Sequence, residues 1–265
     1  MRTPRRLTTV GRNQKGLNEM NIAVIGWGSL IWCPGSLLIK SRWRSDGPML
    51  PIEFARISGD GRLTLVVHSG AQDVQTYWAL SALDSLGEAR DNLRKREGAA
   101  KSSIGFVRAN DDNPTPFPGT DELRKWLGDR HDLDGAIWTA LDSNWRERRG
   151  RDFTAGDAID HLSELERQRD EASLIYNKAC EYIRNAPGAI RTEVRAILDG
   201  KADFKSAELA RVLFEPEEES GAHTDTDSAS FKPQAYSHYG LSRPRCRGCG
   251  GVRQDRGLNA SAAIR

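Results

Sequence analysis

Apolar residues run unbroken from Ile22 to Ile25, lead into Gly26-Trp27-Gly28-Ser29-Leu30-Ile31-Trp32, and stop at Cys33-Pro34-Gly35. A β-branched stretch that ends in glycines predicts a buried strand opening into a tight loop. Beyond it the pattern changes. Residues 52–57 alternate apolar with polar, while 63–68 and 76–80 are rich in β-branched and aromatic residues, so each predicts a strand. Gly59-Asp60-Gly61 predicts a hairpin turn between the first two, and the three are expected as a meander beside the first strand. Residues 104–108 and 136–141 supply two more strands. The expected result is an α+β protein with a mostly antiparallel sheet that curls or closes into a small barrel.

Helical spacing takes over in between and afterwards. Residues 84–97 predict a helix, with Ser85-x-x-Glu88 in the form of a capping box and Gly98 placed to end it. Leu86, Ala89, Leu93 and Glu97 share one face of that helix, whereas Arg90, Asp91, Arg94 and Lys95 read as solvated charges. Glu97 is thus an acid on an apolar face. Residues 111–119, with Pro114, Pro116 and Pro118, predict a loop, and 121–127 a short helix carrying Trp126. A long, charged, helical pattern runs over 154–184 until Ala186-Pro187-Gly188 breaks it, and 189–198 and 206–214 predict further amphipathic helices. Ile159, Leu162, Leu165, Leu174, Ile175 and Tyr182 are expected to face the sheet or one another.

This divides the chain into a disordered basic leader (1–19), a β core (20–145), a helical extension packed on it (146–214) and a disordered acidic and polar tail (215–265). Arg2, Arg5, Arg6, Arg12 and Lys15 occur in the leader without an apolar block, so it is no secretory signal, and Met20 is expected as the start of translation. The chain of 265 residues is 38% hydrophobic and 29% charged, with a formal charge of +2. That charge is too small, and the basic residues too little interleaved with aromatics, to point to nucleic acid. No apolar stretch approaches the length of a membrane span. Cys33, Cys180, Cys246 and Cys249 are too scattered for a disulfide scaffold, which fits a reducing, cytoplasmic compartment. Cys246 and Cys249, with His238 upstream, make at most half of the ligand set that a structural zinc requires, so no metal is expected.

Candidate chemistry begins at the glycine loop, whose bare backbone N–H groups could hold a carboxylate or an oxyanion. A dinucleotide fingerprint would need a glycine where Ile31 stands, and a P-loop would need a following Gly-Lys-Ser/Thr. The plainer reading is a strand ending in a glycine turn. Glu97, too, could be an ordinary ion-pair partner, and the tryptophans ordinary core.

Trp27-Gly28-Ser29-Leu30 after a hydrophobic first strand resembles the Tyr-Gly-Ser-Leu loop of the γ-glutamylcyclotransferase-like superfamily, which includes ChaC-like and AIG2-like proteins. Arg96-Glu97-Gly98 matches that family's downstream acid, commonly a Glu followed by Gly. The resemblance spans roughly residues 22–141. The chain departs from the pattern at Trp27, which has no phenol hydroxyl.

The resemblance implies a cofactor-independent enzyme that releases 5-oxoproline from a γ-glutamyl compound, by attack of the substrate's α-amino group on its own γ-amide carbonyl. It implies Glu97 as general base and then general acid, for which burial and the carbonyls at the helix end would raise its pKa. Trp27, Gly28, Ser29 and Leu30 would bind the glutamyl group, Trp27 as an apolar wall and the others through backbone N–H groups. Glutathione, γ-glutamyl amino acids and γ-glutamyl amines all present the same glutamyl end. The same fold also admits a non-catalytic small-molecule binding or regulatory module. A protein-interaction role for the helices beyond Gly156 and the tail is a further alternative. The oligomeric state is not legible.

Overall fold

The computed structural model describes residues 19–111, 114–168 and 171–200. In chain order, β1 (Ile22–Gly26) leads into the glycine loop, which closes as one helical turn, α1 (Ser29–Trp32). Then come β2 (Met49–Ile57), β3 (Leu63–Val67), β4 (Asp73–Gln75), β5 (Tyr77–Leu80), α2 (Leu86–Glu97) and β6 (Ile104–Arg108). α3 (Thr120–Gly128), β7 (Gly135–Thr139), α4 (Trp145–Arg149), α5 (Ala155–Arg167), α6 (Glu171–Asn185) and α7 (Glu193–Asp199) follow. Residues 1–18 of the basic leader, the helix expected over 206–214, the acidic and polar tail and the residues His238, Cys246 and Cys249 lie outside the described residues.

The strands form an α+β arrangement of two sheets, one of four strands in the order β5-β1-β7-β6 and one of three in the order β3-β2-β4. They do not close into the expected barrel. β1 pairs parallel with β7, in the register Ala23↔Ala136, and all other pairings are antiparallel. The expected meander is also corrected. β2 and β3 do form the hairpin, with Ser58 N–H donating to the Arg62 carbonyl at 2.8 Å across the turn. However, β5 leaves that sheet and pairs with β1, Ile25 opposite Trp78. The reason is β4, too short and polar to read as a strand, which takes the free edge of β2 with Leu50 opposite Val74. Thr76, wholly buried, is the switch point, its hydroxyl donating to the Pro48 carbonyl at 2.6 Å.

Side chains of β1 alternate between two cores, which is why its sequence is apolar without a break. Ile22 and Val24 pack with Leu86, Ala89 and Leu93 of α2 and with Ile104 and Ile137. Ala23 and Ile25 belong to the larger core, which joins both sheets to residues of α5, α6 and α7 such as Leu162, Ile183 and Val194. An isolated helix of the length of α2, 12 residues, is marginal in water. Burying a leucine-sized side chain is worth roughly 1.5–3 kcal/mol, so packing of Leu86 and Leu93 is what fixes it.

The capping box does not form. Ser85 precedes α2 in extended conformation, but its hydroxyl makes no capping bond, and both Ser85 and Glu88 are exposed, where water competes. Arg90, expected in solvent, instead lies 3.9 Å over the Phe106 ring and donates to the Ile104 carbonyl at 2.9 Å. The long pattern over 154–184 is broken, since α5 ends before Gln168 and α6 starts at Glu171. Thr154 caps α5 by accepting from the Asp157 N–H at 3.1 Å. Ile159, Leu162 and Leu165 are buried as the period requires, whereas Leu174 is 57% exposed. The helix expected from residue 189 begins later, at Glu193. Residues 187–190 form a turn, and Thr192 supplies the cap by accepting from the Arg195 N–H. No helix among the described residues is long and apolar enough to cross a membrane.

Candidate active site

The end of α2 is built by Gly98. Its left-handed conformation (φ 61°) lets its N–H donate to the Lys95 carbonyl at 3.3 Å and the Ala99 N–H to the Arg94 carbonyl at 3.1 Å. Those carbonyls are therefore satisfied, not the uncapped ends expected to press on Glu97. What acts on Glu97 is burial, its side chain being only 19% exposed. Burial pushes its carboxyl above the usual carboxylate range, although the adjacent Arg96 guanidinium, with Nη1 2.6 Å from Oε1, draws it partly back.

Arg96 ties this helix end to the glycine loop. Its Nη2 donates to Ser29 Oγ at 3.2 Å and to the Cys33 carbonyl, and its Nε donates to the Pro34 carbonyl at 3.3 Å. Nothing in the sequence pattern separated Arg96 from its charged neighbours. Its role depends on the loop arriving beside it.

In the loop, Trp27 is buried and its indole N–H donates to the Leu65 carbonyl at 3.3 Å. Leu30 is buried in the smaller core. Gly28 is required by close approach, because a Cβ there would stand 2.7 Å from the Tyr182 hydroxyl. Tyr182, from α6, lies edge-on to Trp32 and Phe54, with ring centroids 5.3 Å and 6.3 Å away. Its oxygen accepts the backbone N–H groups of Ser29 and Leu65. The Ser29 amide, expected to face a ligand directly, is thus engaged by a phenol. Burial, followed by the negative charge of Glu97, pushes the Tyr182 pKa up to about 12, so the group stays neutral with a proton to donate. Sequence reasoning placed Tyr182 on a packed helix face. That it reaches the loop 154 positions earlier follows only from the tertiary fold.

Trp27, Gly28, Ser29, Leu30 and Glu97 come together around one cavity of about 560 Å³, with Tyr182 on its wall. Arginines dominate its charge. Arg56, Arg62, Arg96 and Arg148 line it, and Glu97 is the carboxylate among the lining residues. No group of His, Cys, Asp and Glu side chains able to hold a metal ion occurs among the described residues. The arrangement offers a basic carboxylate, a neutral O–H donor, an apolar wall and fixed cations, which suits acid–base chemistry on an anionic small molecule. No family model matches the chain, nor does any curated protein or solved structure.

Proposed function

We propose that the protein is a γ-glutamylcyclotransferase-like enzyme acting on a γ-glutamyl compound in the cytoplasm. The observation that carries the reading is the convergence of Glu97 and the Gly28 loop on one cavity, tied together by Arg96. The loop and the Glu97-Gly98 pair are the residues that support the family resemblance, and they are far apart in sequence.

In this reading the glutamyl group folds against the Trp27 wall with its α-amino nitrogen beside Glu97. The Glu97 carboxylate takes a proton from the ammonium ion, and the freed amine attacks the γ-carbonyl carbon. The new C–N bond closes the ring and the charge passes to the carbonyl oxygen, which receives a hydrogen bond from the Tyr182 O–H. Collapse of this intermediate breaks the original amide bond. Glu97 returns its proton to the leaving nitrogen, and the ring nitrogen sheds its second proton through the same carboxylate to the departing amine, giving 5-oxoproline and an ammonium ion. Because nucleophile and carbonyl are in one molecule, orientation supplies much of the acceleration. The raised Glu97 pKa suits both halves of the cycle.

Purified protein should release 5-oxoproline from a panel of γ-glutamyl compounds, and Glu97→Gln should lower the rate by about 10²–10⁴-fold. Undiminished turnover by a folded Glu97→Gln variant would remove Glu97 from the mechanism. A second reading, a non-catalytic binding module, is favoured by the engagement of the Ser29 amide by Tyr182. It predicts saturable binding of the same compounds without release.

A further inference from the structure

We infer that Trp27, besides forming an apolar wall, is a positioning residue for Tyr182 and acts through the backbone of Leu65. This rests on the cyclotransferase reading, in which the Tyr182 O–H serves the developing oxyanion. A phenol oxygen carries two lone pairs and one proton. In Tyr182 the Ser29 N–H takes one lone pair and the Leu65 N–H the other. The proton is left for a group in the cavity that Tyr182 lines. Where that proton is presented is therefore set by the two amides.

The amides come from different sheets. Ser29 follows β1 of the four-stranded sheet, whereas Leu65 lies on β3, an edge of the three-stranded one. Leu65 also falls where the β2–β3 ladder shifts register. Thr64 pairs with Arg56 and Val66 with Glu53, so Phe54 and Ala55 stand opposite Leu65 alone. A bulge of this kind interrupts the ladder locally, which leaves the residue at it less firmly held by its own sheet. Side chains hold it instead. The Trp27 indole N–H donates to the Leu65 carbonyl at 3.3 Å, and the Tyr182 oxygen takes the N–H of the same residue. The two peptide groups that flank the Leu65 Cα are thus held from the glycine loop and from α6.

An apolar wall by itself needs no indole N–H. A phenylalanine at position 27 would still be a wall, but it would leave the Leu65 carbonyl without this donor and free the bulge residue to shift, and the amide that meets the phenol would shift with it. A displacement of about 1 Å at a reacting centre can cost on the order of a hundredfold in rate.

Trp27→Phe should lower kcat by about tenfold with little change in KM, because the wall remains. Trp27→His, which keeps a ring N–H, should lose less. The deciding comparison repeats Trp27→Phe in a Tyr182→Phe background, where it should cost less than about twofold, since residues that act as a unit are not additive. The same factor in both backgrounds, or an undiminished kcat in a folded Trp27→Phe, overturns the positioning role. Hydrogen exchange followed by NMR gives a second measurement that needs no turnover. In Trp27→Phe the Leu65 amide should exchange about tenfold faster than in the wild type, while that of Leu63 in the same strand is unchanged. If Trp27→Phe does not fold, Tyr182→Phe takes its place, and there the Trp27 indole N–H should exchange faster by the same order. If no γ-glutamyl compound yields 5-oxoproline, the reaction is lost and the exchange rates alone decide the contact: faster exchange supports it, and rates equal to the wild type overturn it.

Discussion

Glu97 and Tyr182 are two residues of the cavity whose environments alter their chemistry. Because burial raises the Glu97 pKa, the native protein holds that proton more tightly than the unfolded chain does. Stability from this group is therefore lost as pH rises, over a window that opens at the ordinary glutamate value of about 4.3 and closes at the higher native value. Glu97→Gln abolishes that slope. In urea denaturation the variant should gain on the wild type as pH is raised through the window, and a wild type that instead gains with pH would contradict the raised value. Activity has the opposite sign, since the base must be ionised: kcat/KM should fall as pH drops, with a midpoint above the ordinary carboxylate range. Tyr182→Phe deletes the O–H while keeping the ring against Trp32 and Phe54. It should lower kcat by about a hundredfold, the scale of one oxyanion donor, with a modest loss of stability from the orphaned Ser29 and Leu65 amides. At this scale Glu97 was legible, because an acid in register with Leu86, Ala89 and Leu93 conflicts with the pattern around it. Tyr182 was not, since an aromatic on a buried helical stripe is ordinary.

Among the elements, α2 and the loop after β1 decide the site, and both end in glycine for a physical reason. Gly98 adopts a left-handed conformation that costs a residue with a Cβ roughly 1–2 kcal/mol. Gly98→Ala should cost about that much in denaturant, and should raise KM by displacing Glu97 and Arg96, whereas Gly98→Asn should lose less. Equal stability in Gly98→Ala would show that the helix end does not need this backbone. Most elements followed from period and turn chemistry. β6 falls on residues 104–108, where a strand was expected, and Gly98 stops α2 where a helix stop was expected. β4 escaped notice because three residues with exposed or half-buried ends carry no alternation to read. Its pairing with β2 is a long-range event, and it redirected β5 to the other sheet.

For the whole molecule, the two cores meet at β1, and Glu53 links β2 to the C-terminal helices. This carboxylate is 3% exposed. It accepts the Phe54 N–H at 2.7 Å, where the β2–β3 register shifts, and the Glu193 N–H at 2.8 Å at the start of α7. Burial raises its pKa, while those N–H groups hold it down in part. Glu53→Ala should lower stability by roughly 1.5–3 kcal/mol, the scale of hydrogen bonds to a charged group, and Glu53→Gln by less. A loss within error for Glu53→Ala would show that α7 docks by its apolar contacts alone.

The sequence by itself determined the local features: the buried first strand, the glycine loop, the β2–β3 hairpin, the stop of α2 and the anomalous Glu97. These depend on steric freedom at glycine and on the burial of residues a turn or two apart, which neighbours in the chain can express. Only the tertiary structure decided the split into two sheets, the parallel pairing of β1 with β7, the reach of Tyr182 to Gly28 and the excess of arginine in the cavity. Each of these joins segments with no common period, and their pairing is set by which edges, faces and charges remain available once the rest of the chain has packed.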